Sequence, residues 1–318
     1  MFFQSFISSG LAMLEILIIG GIGFFLVRKN LLEDKGLGTL SRLTIDVTLP
    51  VLIFCQLVKN FNFSIYPNWW VFPVLSIVVT TLGLIIGEIF IRFIKGQEHK
   101  KQFLGMIAFQ NSGYLPLALI AALLPKDTQE VLFIYLFLFL LGFNLVMWSF
   151  GVHMLTSQQK KKFDWVSLFN PPVIATLVSL VFVFFGVNKI IPEFVLKPLS
   201  ALGKCTVPLS MLIVGGNLAL IRLKHIDKKA VSLMILAKMI ILPAIGIITV
   251  IIFKLPALLG LLFIIQLIVP PATSLSVILR HYKKEDLLVS QGILFTYIAG
   301  IITMPVFLSL YFFFVGSK

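Results

Sequence analysis

Long unbroken apolar runs, separated by short polar and charged clusters, make up most of this chain. Cutting it at those clusters leaves ten runs, at about 5–27, 38–58, 69–92, 102–124, 130–154, 166–187, 199–221, 230–253, 256–280 and 288–314. A helix needs about 20 residues to cross a hydrocarbon core about 30 Å thick, and each run is long enough. The runs are continuous rather than alternating with period two, so the pattern does not suit a membrane β-barrel. The connections are short and leave no room for an inserted soluble domain. The predicted fold class is therefore an all-α membrane protein with ten transmembrane helices, here called spans 1 to 10.

Composition removes the alternatives. The chain has 318 residues, of which 59% are hydrophobic and 12% charged. A soluble domain carries about 25% charged residues, so a soluble enzyme and a disordered protein are both excluded. The formal net charge of +13 raises the question of nucleic acid. The basic residues, however, fall in clusters between the runs, with no stripe suited to a phosphate backbone. No nucleic-acid partner is expected; the lipid bilayer is the expected surrounding. Met1 to Phe6 lacks a basic leader and the run after it is too long for a signal peptide, so span 1 is expected to stay in the protein.

Placing the charges gives orientation. The loops after spans 1, 3, 5, 7 and 9 hold 18 of the 26 Lys and Arg, among them Arg28, Arg92, Lys160 to Lys162, Arg222 and Lys283. The other side holds six: Lys59, Lys126, Lys189, Lys197, Lys254 and Lys318. By the positive-inside rule the first set is cytoplasmic and both termini face outward. The expected location is the plasma membrane.

The two halves of the chain echo each other. Span 2 contains Asp46-Val47-Thr48-Leu49-Pro50 and span 7 contains Lys204-Cys205-Thr206-Val207-Pro208, both reading charged-x-Thr-(Leu/Val)-Pro. Pro50 lies 66 residues before Pro116 in span 4, and Pro208 lies 62 before Pro270 in span 9. Residues 1–155 and 156–318 thus read as two five-helix repeats. Because five is odd, the second copy is inserted upside down, an architecture common among secondary transporters.

Two spans are expected to break. Span 4 carries Gln110-Asn111-Ser112-Gly113-Tyr114-Leu115-Pro116, and span 9 carries Pro270-Pro271-Ala272-Thr273-Ser274. Proline removes a helical hydrogen bond and its ring clashes with the preceding turn. Unwound backbone at membrane depth is tolerated only where it is buried in protein or lines a watery cavity. Matched broken helices are the best sequence pointer to a transporter's binding site. Each break exposes a half-helix N-terminus with roughly half a positive charge, which favours an anion. The substrate-binding candidates are Asn111, Ser112, Gly113, Tyr114, Pro116, Pro270, Pro271, Thr273 and Ser274. The opposite half-helix ends could hold a sodium ion instead, so the substrate's charge stays open at this stage.

Ionisable residues inside spans are costly and call for an explanation. Asp46, its repeat partner Lys204 and the mid-span Glu15 are the candidates for coupling or gating. Glu15 is expected to be shielded from lipid. Glu88 stands four residues before Arg92, so a helical ion pair explains it. Lys238 reads as a lysine reaching the interface or a cavity. Cys55 and Cys205 read as small buried hydrophobes. The four histidines show no metal-ligand spacing, so no metal is expected. No phosphate-binding loop exists to bind ATP, and no arrangement of nucleophile and base suggests an enzyme. Gly83 and Gly87 form a G-x-x-x-G that reads as close packing within the protein or, alternatively, as the seam of a homodimer.

Taken together, these stretches resemble the auxin efflux carrier family, which includes plant auxin exporters and bacterial permeases for malate and malonate. The matching residues are Thr48-Leu49-Pro50, Asn111-Ser112-Gly113-Tyr114-Leu115-Pro116, Asn170-Pro171-Pro172, Thr206-Val207-Pro208 with Gly215-Gly216, and Pro270-Pro271-Ala272 through Tyr282. The resemblance implies a crossed-helix fold related to that of bile-acid sodium symporters. Spans 4 and 9 would cross at the centre, with spans 1, 2, 6 and 7 as scaffold and spans 3–5 with 8–10 as the moving domain. Only about a dozen residues join spans 5 and 6, unlike the long central loop of many plant exporters. The resemblance is therefore to the bacterial carboxylate permeases. The functional expectation is a secondary carrier for a small organic anion, a carboxylate, using alternating access of elevator type. It needs no cofactor, and the coupling ion, H+ or Na+, stays open. The alternatives are a sodium/proton antiporter of the same fold and a non-transporting membrane sensor.

Overall fold

A computed structural model describes residues 2–156, 168–221, 226–282 and 286–315. Regular structure among them is helical throughout, apart from one isolated antiparallel bridge between Gln110 and Pro271. The first half contains α1 (Phe2–Arg28), α2 (Asp34–Leu43), α3 (Leu49–Asn60), α4 (Val71–Ile91), α5 (Gln97–Ala108), α6 (Tyr114–Leu123), α7 (Lys126–Val146) and α8 (Val152–Thr156). The second contains α9 (Pro171–Phe184), α10 (Glu193–Lys204), α11 (Thr206–Ala219), α12 (Lys228–Met234), α13 (Leu242–Phe253), α14 (Ala257–Ile268), α15 (Ser274–His281) and α16 (Leu287–Val315).

Among the described residues, seven helical stretches are long and apolar enough to cross a membrane: Phe2–Arg28, Asp34–Asn60, Val71–Ile91, Lys126–Thr156, Glu193–Ala219, Lys228–Phe253 and Leu287–Val315. Three shorter apolar helices, α6, α9 and α14, occupy the regions of spans 4, 6 and 9. The basic clusters Lys160 to Lys162, Arg222 with Lys224, and Lys283 with Lys284, and also Lys318, lie outside the described residues.

Local chemistry explains many of the boundaries. The Asn170-Pro171-Pro172 motif starts α9: the Asn170 side chain accepts from Val173 N at 3.1 Å. Proline suits the first turn because its missing N–H is one that would have no helical partner there. Asp227 caps α12 in the same way, accepting from Ala230 N at 3.0 Å. A π-helical segment, Thr44–Thr48, joins α2 to α3, and another, Ile235–Ile241, joins α12 to α13. Each precedes a Leu-Pro pair, Leu49-Pro50 and Leu242-Pro243. The proline cannot donate to the carbonyl four residues back, and the ladder widens locally. A third π segment, Met147–Gly151, has no proline. There Ser149 Oγ donates to Leu145 O at 2.5 Å, inserting a side chain into the ladder.

The core is densest along α7 and α14. Nearly every residue from Leu132 to Phe143 and all those from Gly260 to Ile268 are buried. A helix apolar on all sides belongs at the centre of a membrane protein rather than at its edge. Around it, large apolar side chains such as Phe25, Ile85, Phe184, Phe253 and Ile302 face outward. An apolar surface of this extent suits a lipid surrounding.

Close helix contacts need glycine. A Cβ on Gly215 of α11 would sit 1.8 Å from Gly20 O of α1, so these two helices touch backbone to backbone. Gly83 of α4 does the same against α5, its hypothetical Cβ lying 2.7 Å from Ala108 Cα and 2.9 Å from Ile107 O. The Gly83/Gly87 pair therefore packs α4 onto α5 inside the protein.

Three sequence expectations need correcting. Glu88 and Arg92 form no ion pair: Arg92 is the C-cap of α4 and both side chains are exposed to the surroundings. Cys55 is buried but Cys205 is exposed, since it sits at the join between α10 and α11, whose neighbouring Gly203 and Thr206 face inward. Glu15 is exposed rather than shielded: α1 buries Ala12, Met13 and Ile16 on its other face.

Candidate functional site

The site is built where two helical stretches are interrupted. Helix α5 stops at Ala108, Phe109 takes an extended conformation, and α6 starts at Tyr114. Helix α14 stops at Ile268, Val269 is extended, and α15 starts at Ser274. Two main-chain hydrogen bonds join the interruptions: Asn111 N donates to Pro270 O at 2.8 Å, and Ala272 N to Phe109 O at 3.0 Å. The chain thus solves the problem of unpaired backbone at depth by pairing one interruption with the other. Pro270 and Pro271 suit this arrangement, since neither has an N–H left to satisfy.

The pairing fixes four helix ends at one place. The C-terminal ends of α5 and α14 bring carbonyl groups, and the N-terminal ends of α6 and α15 bring N–H groups without intrahelical partners. Pro116 sits in the first turn of α6, where its missing N–H costs nothing. Gly113 caps that turn, and a Cβ there would meet nothing within 4 Å, so space lies open beside it.

Side chains add a polar layer. Asn111 is 6% exposed and its Nδ2 donates to Tyr297 Oη of α16 at 2.6 Å. Ser112 Oγ lies 3.5 Å from Gln110 O. Gln266 of α14 donates through Nε2 to Ser112 O at 3.4 Å, while its Oε1 is buried without a partner. Both polar atoms of Gln110, a residue with 0% exposure, are also unpartnered, and so is Tyr114 Oη. Buried amides without partners are uncommon in folded proteins and call for a ligand, an ion or water.

The structure therefore gathers Asn111, Ser112, Gly113, Tyr114, Pro116, Pro270, Pro271, Thr273 and Ser274 at the ends of α6 and α15. Thr273 also lines a cavity of about 340 Å³ between α2 and α11 on one side and α15 and α16 on the other. Asp34, Asn217, Ser276, Arg280, Asp286 and Ser290 line it as well. Arg280 Nε lies 3.4 Å from Asp286 Oδ2, which also accepts from Ser276 Oγ at 2.5 Å and Ser290 Oγ at 2.9 Å.

The coupling candidates lie elsewhere. Asp46 is exposed in the π segment between α2 and α3, near enough to act electrostatically on Tyr114. Lys204 is exposed at the end of α10, and Glu15 is exposed on α1. Among the described residues, none of the three has an ion-pair partner. The threonines of the two related motifs do meet: Thr206 Oγ1 donates to Thr48 Oγ1 at 3.0 Å, and both residues are buried.

Sequence reasoning missed Gln266, Tyr297 and Lys238 as neighbours of this site. Lys238 does not reach an interface: it is 1% exposed, and its Nζ donates to Ile107 O at 3.1 Å. Tyr297 is 186 residues from Asn111 in the chain, and no local signal ties them. Gln266, a lone amide in an apolar helix four residues before Pro270, was the one visible sign.

Comparison with known proteins bears on the whole chain. A family model described as "Membrane transport protein" matches residues 10–164 and 160–308. Protein PIN-LIKES 1 of Arabidopsis thaliana is 22% identical over an alignment covering 95% of this chain and 78% of its own length. Protein PIN-LIKES 3 of the same plant is 23% identical, covering 95% and 96%. An uncharacterized transporter of Methanocaldococcus jannaschii is 27% identical, covering 65% of this chain and 68% of its own.

Proposed function

The chain belongs to the membrane transport protein family of auxin-efflux-carrier type, and on that premise we propose that it is a secondary carrier for a small organic anion, a carboxylate. It is a multi-pass membrane transporter and not an enzyme. The observation that carries the substrate class is the reciprocal pairing of the two interruptions, Asn111 N to Pro270 O and Ala272 N to Phe109 O. That pairing holds the N-terminal ends of α6 and α15 together beside the unpartnered amide of Gln110 and hydroxyl of Tyr114. Two half-helix N-termini favour negative charge, and neutral amides and hydroxyls orient a carboxylate without adding charge.

Further support comes from symmetry. Counting α5 with α6 and α14 with α15 as single interrupted crossings gives ten spans in two inverted five-helix repeats, residues 1–155 and 156–318. The Thr48–Thr206 bond and the paired interruptions join equivalent points of the two. On this reading α1 to α3 and α9 to α11 form the scaffold, and the remaining helices slide against it as an elevator. The cavity holding Thr273 and Arg280 lies between the two groups and is the path to the site from the basic, cytoplasmic face. Both termini then face out of the plasma membrane.

The test is flux in proteoliposomes. Mono- and dicarboxylates are screened at controlled pH, with sodium present or replaced by choline. Saturable, competitive uptake of a carboxylate is expected. Sodium-driven proton movement without carboxylate flux would instead indicate an antiporter, and neither activity would indicate a sensor.

A further inference from the structure

Lys238 places its amine in the buried membrane region: it is 1% exposed and, among the described residues, has no acid paired to it. Its segment, Ile235–Ile241, packs against α4, α12, α13, α14 and α16. The acid these helices carry is Glu88 on α4, which is exposed and away from the buried face. An ammonium group in such a place needs a substitute for water. The structure supplies the main-chain oxygen of Ile107, 3.1 Å from Nζ.

That oxygen has a particular position. Ile107 stands one residue before the end of α5, and the last carbonyls of a helix carry about half a negative charge. Carbonyl ends of interrupted helices are where membrane carriers bind their coupling cations. Gly83 closes the other side of the same carbonyl, its missing side chain letting α4 approach to a hypothetical Cβ distance of 2.9 Å. The pocket around Ile107 O is thus enclosed by backbone on one side and filled by an ammonium on the other.

We propose that Lys238 is a tethered cation: its ammonium fills, at the α5 carbonyl end beside the crossing, a site that would otherwise accept a monovalent metal ion. Lys238 supplies the charge a sodium ion would bring, and the chain holds its crossing together without sodium. The proposal rests on the carrier reading only for its meaning in transport. The site itself is a matter of stability and is measured separately.

The experiment compares melting temperatures of the purified wild type, Lys238→Ala and Lys238→Gln in sodium chloride and in choline chloride at equal ionic strength. The wild type is expected to melt at the same temperature in both salts. Lys238→Ala removes the charge and opens space at Ile107 O. It is expected to melt several degrees lower in choline and to regain part of that loss, saturably, in sodium. Lys238→Gln keeps a donor and adds an oxygen, and is expected to show the same sodium dependence from a higher starting point. A Lys238→Met variant fills the space without charge or ligand oxygen and is expected to be destabilised equally in both salts. Saturable stabilisation of the wild type by sodium would overturn the proposal. So would folded Lys238→Ala and Lys238→Gln variants that do not distinguish the two salts. If neither variant folds, the wild-type comparison still decides. Absence of carboxylate flux would count against the carrier reading and leave these melting results standing.

Discussion

Asn111 donates through its main chain to Pro270 and through its side chain to Tyr297, so one residue ties together α5, α14 and α16. The two bonds separate structure from recognition. Asn111→Ala keeps the main-chain bond and the crossing but removes the amide beside Gly113, where space is open. Carboxylate affinity is expected to fall by about 1.5–3 kcal/mol, the worth of a hydrogen bond to a charged group, while the protein stays monodisperse. Titration of the purified variant checks this, and unchanged affinity would remove Asn111 from the site. Asp46 is a separate case: exposed, without an ion-pair partner among the described residues, and near Tyr114. If it carries a coupling proton, Asp46→Asn flattens the pH profile of net uptake but leaves exchange between loaded vesicles intact. Identical pH profiles for the two proteins would leave it a purely structural residue.

At the scale of elements, the interruptions matter more than the helices they interrupt. Pro270 and Pro271 withhold two N–H groups from the carbonyls of Gln266 and Leu267. Replacing both by Ala restores those donors and relieves ring clashes, each proline costing about 3 kcal/mol in a helix interior. A continuous α14–α15 helix would then compete with the two bonds to Phe109 and Asn111. The Pro270→Ala/Pro271→Ala protein is expected to be at least as thermostable as wild type but unable to carry anion, because the N-terminus of α15 no longer exists. Pro198, inside α10 and exposed, is the control: Pro198→Ala is expected to leave flux unchanged. Paired melting and flux measurements decide, and full transport by the double variant would end the case for a broken-helix site. These elements were legible in the sequence because a bilayer forces long apolar runs and proline punctuates them. The π segments were not, although the Leu-Pro pairs that cause two of them were in view. Lys238, Gln266 and Tyr297 escaped for another reason. Their surroundings are set by helices far apart in the chain, and a span's own pattern records that it is apolar, not which neighbour it meets.

On the carrier reading, the whole molecule adds an entrance at the cavity beside α15. Arg280 stands half-exposed at the cavity that reaches Thr273, paired with Asp286, whose carboxylate in turn accepts from Ser276 and Ser290. Asp34 and Asp286 line the same opening, so Arg280 offsets negative charge that would otherwise repel an arriving anion, an effect that salt weakens. Arg280→Gln is expected to raise KM several-fold with little change in kcat, and the difference should shrink at high ionic strength. A fall in kcat with unchanged KM would place Arg280 in the moving machinery instead. That the chain is an all-α membrane protein was readable from its long apolar runs; this cavity was not, because Asp34, Asn217 and Arg280 come together only when the two halves of the chain pack.

The bridge between Gln110 and Pro271 is made entirely of main-chain atoms. Any L-residue except proline can supply the donor at 111 or 272, and any residue can supply the acceptor at 109, while Pro270 and Pro271 keep the interruption open. Apart from those two prolines, the crossing is indifferent to which side chains stand around it. On the carrier reading, mutation at 110 to 112, or at 272 to 274, varies what is recognised while the frame that presents it stays the same. A scaffold of this kind is suited to acquiring new cargo by a few exchanges, and the same property makes it a practical starting point for directed evolution of carriers.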